Sequence, residues 1–333
     1  IKYHHSRDDS DLIRPEMLKK TGDFVLAAVE ILANEPGNLI QPMRQETFYL
    51  KYQNLINHEL PPLDKVIAAH GEAKDSHVDI QLAVIPGQET ETPDQARLGI
   101  LEALLDASES IKKTKGLSLY SPERRVSMTV RQGKTTVVPG VKGLEAFRDD
   151  PRWAGVMAKQ GVYFATTEAS EWLFGQEGLT EEGQKVIRGV TTSGLLLIAS
   201  GTDAAQARAL LEAAKKPLLL ITQEVWPDDV LEMVKEKESA VGLLMGAEEE
   251  PAVYFKKLDA LKEAVESSRV MVVNEQCLWS EKGKMQFLSL FSEIIKAKYE
   301  RSDLSNIFSG TFLRLLRAVR DEGGRQVVPY IPF

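Results

Sequence analysis

Cysteine is nearly missing from this chain: Cys277 stands alone among 333 residues. That excludes an internal disulfide and leaves a reducing compartment, the cytoplasm, as the default expectation. A small buried thiol is the reading for Cys277, since no histidine lies near it in sequence to serve as base for a nucleophile. Histidine is also scarce. All five, His4, His5, His58, His70 and His77, fall within the first 77 residues. No apolar run approaches the roughly 20 residues of a membrane span, and no cleavable leader is visible. The chain opens at Ile1 rather than Met, which leaves room for an upstream segment that has been removed. Excess positive charge is absent too. A net charge of -8 gives no reason to expect nucleic acid or an anionic membrane surface as partner, and Lys112, Lys113, Lys115, Arg124 and Arg125 read as solvated helix ends.

What the chain does have is a βα rhythm. Residues 195–200, 218–222 and 240–245 are short apolar runs without alternation, the pattern of parallel strands buried on both faces. Between them lie helical patterns. Residues 203–215 carry Ala207, Leu210, Leu211 and Ala214 on one side, and 227–238 carry Val230, Met233 and Val234. Thr202-Asp203 and Pro227-Asp228-Asp229 supply helix-start chemistry. Further strands are expected at 1–4, 78–84, 135–138, 162–165 and 270–274, with helices at 93–112, 252–265 and 285–297. Eight strands separated by helices in a chain of this length point to one (β/α)8 barrel, the TIM-barrel class of α/β fold, spanning 1–333. The alternative is a doubly wound open sheet.

Residues 9–77 form a long insertion between the first and second expected strands. It reads as mainly helical: 15–34 place Phe24, Val25, Ala28, Val29, Ile31 and Leu32 on one side, and 45–56 add Phe48, Tyr49 and Tyr52. Ordinary packing, a lid over the mouth and a subunit contact are its alternative roles. The apolar end of the chain, 327–333, suggests docking on a neighbouring surface and hence a homo-oligomer.

Several blocks taken together resemble the membrane (renal) dipeptidase family, zinc metallopeptidases of the amidohydrolase type. They are Gly161-Val162-Tyr163; the stretch from Gly178-Leu179-Thr180 to Ile187, similar to a "GLT-x-x-G" motif; Thr192-Ser193-Gly194-Leu195-Leu196; and Lys216-Pro217-Leu218-Leu219. Pro227 to Leu231 with Ala240-Val241-Gly242, and Asn306 to Arg314, complete the set, with Thr311 where the family places Asn. The resemblance implies a (β/α)8 barrel. It also implies a two-zinc site, held by a His-x-Asp pair after strand 1, a bridging Glu before Gly, two histidines after strands 5 and 6, and an Asp after strand 8.

Most of those positions are changed. On this resemblance His4 matches the first histidine and Glu275 keeps an acid after strand 8, whereas Ser6, Pro139, Gly201 and Thr222 stand where the remaining ligands belong. Glu168 and Trp226 occupy the positions that line the dipeptide. Independently of any resemblance, strands beyond the third can offer a metal only oxygen ligands and Cys277, while catalytic zinc usually takes three protein ligands with at least one imidazole. The expectation is a barrel with a degenerate zinc site and no cofactor, kept for binding or assembly, with a small molecule or dipeptide at the mouth. The alternative is an active metallo-dipeptidase or related hydrolase with zinc or another divalent cation at His4 and Glu275. An oxygen-rich Mg or Mn site could also draw on His5, Asp8, Asp9, Asp203 and Glu224, but Asp203 reads equally as a helix cap and Glu224 as a solvated loop residue.

Overall fold

The computed structural model describes residues 56–57, 62–72, 79–86, 92–121, 126, 129, 132, 134–167, 170–176, 178–274 and 281–320. The chain divides into two compact units, Ile1–Lys51 and Tyr52–Phe333, and every described residue belongs to the second. Its elements run β1 (Ile56–Asn57), α1 (Leu63–Glu72), β2 (Ile80–Pro86), α2 (Pro93–Lys113), β3 (Leu117–Leu119), β4 (Thr135–Lys142), α3 (Trp153–Lys159) and β5 (Phe164–Thr167). A small hairpin, β6 (Phe174–Gly175) and β7 (Gly178–Leu179), leads into α4 (Glu181–Thr192). Then come β8 (Leu196–Ser200), α5 (Ala204–Ala213), β9 (Leu219–Thr222), α6 (Asp228–Glu236), β10 (Ala240–Met245), α7 (Pro251–Val265) and β11 (Val270–Asn274). Helices α8 (Glu281–Lys296) and α9 (Arg301–Ser305), a π-turn over Asn306–Gly310 and α10 (Thr311–Val319) follow.

The strands form one curled parallel sheet in the order β1-β2-β4-β5-β8-β9-β10-β11, with β3 attached to β4. This is the (β/α)8 barrel. From α4 to β10 the expected alternation of helix and strand appears in full. The helices start where the chemistry allows: Thr92 caps α2 and Asp203 caps α5, each in a capping box with the glutamine three residues on. Thr180 caps α4 by accepting from the Gly183 amide. Among the described residues no helix is long and apolar enough to cross a membrane.

One strand sits elsewhere than expected. The outer edge of β2 is taken by Ile56 opposite Ile80, Asn57 opposite Gln81 and Pro62 opposite Val84. A strand has two edges, and β4 holds the other. The same finding places a strand inside the segment expected to be mainly helical. The rest of that insertion, residues 1–4 themselves and 327–333 lie outside the described residues. β4 is also longer than expected, because Pro139 falls where β3 has ended and β5 has not yet begun to pair. Its missing N–H therefore interrupts no ladder bond, while its carbonyl accepts from Tyr163.

Alternation sorts the strand side chains into two layers. Ile80, Leu82, Val84, Val138, Phe164, Leu196, Ile198, Leu219, Ile221, Met271 and Val273 pack with one another and with α10, and none of the surrounding helices α2 to α8 joins that cluster. This is the barrel interior. Two glycines are required in it: a Cβ on Gly242 would lie 2.8 Å from Val273 Cγ2, and one on Gly140 would overlap the Phe164 ring. Helix α10 closes the N-terminal end of the barrel. Thr311 donates to Ser268 O (2.9 Å), Arg314 to Glu238 O (3.1 Å) and Ser268 O (3.2 Å), and Arg320 to Val162 O (2.6 Å) and Ala158 O (3.1 Å); Lys216 donates to Val319 O (2.9 Å). These bonds tie the plug to the segments that precede β5, β9, β10 and β11.

Candidate functional site

Barrels carry chemistry at the C-terminal ends of their strands, so the opposite, open end is the candidate site. Working round it from β4, the chain offers Pro139, Gly140, Val141 and Lys142, then Thr166 and Thr167 on β5, and Ser200 at the end of β8 followed by Gly201 and Thr202. Thr222 and Gln223 end β9, and Met245 and Gly246 end β10. These side chains are apolar, hydroxyl, amide or ammonium. Below them Val84, Phe164, Ile198, Ile221 and Val273 pack in the interior, which gives an apolar floor among the described residues.

The hydroxyls are mostly committed to holding the rim. Thr166 Oγ1 accepts from the Gly143 amide at 3.2 Å, which fixes the turn after β4, where Gly143 has a φ of 82°. Thr222 Oγ1 accepts from the Glu224 amide (3.1 Å) and lies 3.0 Å from the Glu224 carbonyl, to which it donates. Thr202 differs: it is only 5 % exposed, yet its hydroxyl has no hydrogen-bond partner among the described residues. A buried hydroxyl without a partner costs free energy until something supplies one. Gly201, just before it, sits at φ 68°, is exposed, and would meet nothing within 4 Å with a Cβ added.

Sequence reasoning missed one feature, a charge cluster between the loops after β9 and β10. Lys257 of α7 reaches Glu224 Oε1 (2.9 Å), Glu249 Oε1 (3.1 Å) and the Gln223 carbonyl (3.0 Å). The hydrogen bond to Glu224 is the main reason its pKa is raised, with Glu249 adding to it. Glu249 also accepts from the Gly246 amide (3.3 Å), and Gln286 Nε2 donates to Gly246 O at 2.7 Å. The lysine sits two turns into a helix, so only the acidic run Glu248-Glu249-Glu250 could have hinted at a cation nearby.

The expected site residues fare differently. Asp203 is the cap of α5, its carboxylate accepting from the Gln206 amide at 2.8 Å, and Glu224 is ion-paired with Lys257. Pro139 and Thr222 lie on the helix-facing side of their strands, because the neighbouring Val138 and Ile221 face inward. The inward positions beside them are Gly140 and Gln223. Trp226 is buried, 6 % exposed, in the loop that leads from β9 into α6. His4, His5, Ser6, Asp8, Asp9, Glu168, Glu275 and Cys277 lie outside the described residues. The residue that follows β1 in sequence is His58, also outside them.

A zinc pair does not fit what is there. Zinc needs thiolate, imidazole or carboxylate at about 2 Å, and the described residues at the ends of β4, β5, β8 and β9 present none on either face; at β8 and β9 a register shift of one residue does not change that. Among the described residues no three His, Cys, Asp or Glu side chains come together as a metal-binding group.

No family model matches the chain, and no curated protein does. Solved structures do. The probable dipeptidase PvdM from Pseudomonas aeruginosa superposes with a TM-score of 0.66 at 12 % identity, over 86 % of this chain and 100 % of that one. A metallopeptidase from Rhodobacter sphaeroides, liganded with a phosphinate mimic of the dipeptide L-Ala-D-Ala, gives 0.65 at 13 % identity over 80 % and 99 %. An amidohydrolase from Pseudomonas aeruginosa gives 0.62 at 13 % identity over 83 % and 99 %. At such low identity the likeness is one of architecture: this chain folds as the (β/α)8 barrel that dipeptidases and amidohydrolases of this type share.

Proposed function

We propose that this protein is a dipeptidase-type barrel whose zinc chemistry has been lost and whose mouth is kept for binding a small molecule or dipeptide-like ligand. The observation that carries the reading is the donor set at the ends of β4, β5, β8 and β9: glycine, proline, threonine, serine, glutamine and lysine, with Asp203 and Glu224 engaged elsewhere. Water activation needs a cation in a rigid shell, and these residues supply no such shell. The relative in Rhodobacter sphaeroides carries a dipeptide mimic, which makes a dipeptide or its analogue the first ligand to try here.

The experiment is metal analysis of the purified full chain together with a dipeptide hydrolysis assay in added zinc. The expected result is no stoichiometric zinc and no turnover. Two tightly held equivalents of zinc, with hydrolysis abolished by His4→Ala, His58→Ala or Glu275→Gln, would sink the reading. One tightly held hard cation with turnover would equally overturn it, in favour of altered chemistry.

A further inference from the structure

Helix α2 carries an apolar stripe that nothing among the described residues covers. Leu98 is 58 % exposed and Leu105 64 %, and Leu101, half-buried, lies between them on the same face. The opposite face, Ala96, Ile100, Leu104, Ala107 and Ile111, is buried. Scattered exposed leucines need no explanation, but these recur at the three-four spacing of a helix–helix seam. Extended in both directions the seam reads Asp94, Leu98, Leu101, Leu105, Ser108, Lys112.

That order is complementary in charge from end to end, though Leu98 and Ser108 differ in size. Laying two copies of α2 antiparallel about the level of Ala103 sets Asp94 against Lys112 of the other copy, Leu101 against Leu105, and Leu98 against Ser108. A parallel arrangement would instead set Asp94 against Asp94 and Lys112 against Lys112. The antiparallel pairing is related by a two-fold axis, the geometry of a self-complementary contact between identical chains. Asp94 is held in place for it: Arg97, buried, donates to Asp94 (2.7 Å) and to Ala146 O (2.9 Å), pairs with Asp149 and lies 5.1 Å from the Trp153 ring, which fixes this end of the helix on the barrel.

We propose that the Leu98–Leu101–Leu105 face of α2 is the contact through which two copies of this chain associate. The inference is independent of what the mouth binds. One feature opposes association. Glu102 from each copy lies on the same rim near the axis, so like charges approach there. One exposed helix face is small for an interface, which places the dimer in the weak, concentration-dependent range.

The experiment is sedimentation velocity of the full chain over about 1 to 200 µM, a range chosen for a weak contact. Wild type should shift from monomer to dimer across it. Leu105→Lys should weaken association by roughly tenfold or more, since it buries an unpaired charge at the seam. Lys112→Glu should weaken it less, and Glu102→Gln should strengthen it. All are surface positions, so folding is checked by an unchanged melting temperature. Glu102→Cys should in addition form a covalent dimer on mild oxidation, with wild type, which keeps Cys277, as the control. A wild type that stays monomeric throughout would overturn the proposal and assign the stripe to another segment of the chain or a different protein. So would a dimer indifferent to Leu105→Lys, or one weakened by Glu102→Gln.

Discussion

Single residues decide how tightly the barrel can close. Gly140 pairs with Phe164 across β4 and β5, and the ring lies where a Cβ would be, so Gly140→Ala cannot be absorbed by a surface adjustment. Overpacking of this kind costs about 1 to 3 kcal/mol, which should appear as a lower urea midpoint with the slope unchanged. Adding Phe164→Leu to the same chain should recover part of the loss; a double variant no better than the sum of the two single ones would refute the ring contact as the cause. At this scale the sequence was informative about identity and silent about direction. Gly201 and Thr222 could be recognised as residues that do not ligate. That Thr222 turns toward the helices while Gln223 turns inward could not, because the facing of every strand residue depends on a register that moves by one without changing composition. The bonds of Thr222 to its own loop, and of Asp203 to Gln206, exist only once the turns are formed.

Elements were legible to the degree that side-chain pattern, rather than hydrogen bonding to a distant partner, defines them. Strands β10 and β11 begin and end where the apolar runs do, and α2 matches its periodic pattern to within a residue. β1 and β3 were not legible. Each is two or three residues long and is a strand only because β2 or β4 lies beside it, whereas side-chain pattern alone puts the first strand at residues 1–4 and reads 45–56 as helical. Helix α10 was visible as a motif but not as a plug, since its role rests on backbone carbonyls from three separate segments and on the Lys216 ammonium from a fourth. Arg320 makes that role testable. Its guanidinium donates to Ala158 O and Val162 O and lies 3.8 Å from the centre of the Tyr163 ring, whose hydroxyl in turn donates to Tyr120 O. Arg320→Met keeps much of the apolar stem but removes both bonds and leaves the Val162 carbonyl short of a donor, while Ala158 O keeps the Gly161 amide, at a cost of about 2 kcal/mol. Hydrogen exchange should then quicken in α10 and at the start of β5 before it does in β10, if the plug opens as a unit.

At the scale of the molecule, fold and chemistry come apart. The parallel order of strands and the closed apolar interior were both implied by uninterrupted runs of valine, leucine and isoleucine, and the architecture follows from burying them on both sides. The mouth is under less constraint, because the barrel stands on its interior and on α10, and apart from Gly140, which the Phe164 ring requires, the residues at the strand ends are not part of that interior cluster. This separation yields a thermodynamic prediction. A ligand that binds only the native state adds RT ln(1 + [L]/Kd), about 2.7 kcal/mol when present at 100 times its Kd, and for a domain of this size each kcal/mol moves the melting temperature by roughly 2 to 4 °C. A two-zinc barrel stripped with chelator and then given micromolar zinc should therefore melt several degrees higher. For this chain the melting temperature after chelation should be the same with and without zinc, because the ends of β4, β5, β8 and β9 give the cation nothing to bind. The measurement does not depend on guessing a substrate, so it separates a barrel that has lost its metals from one merely tested on the wrong peptide. A rise of several degrees that is saturable, and abolished by His58→Ala or Glu275→Gln, would show that zinc holds on through residues other than those strand ends.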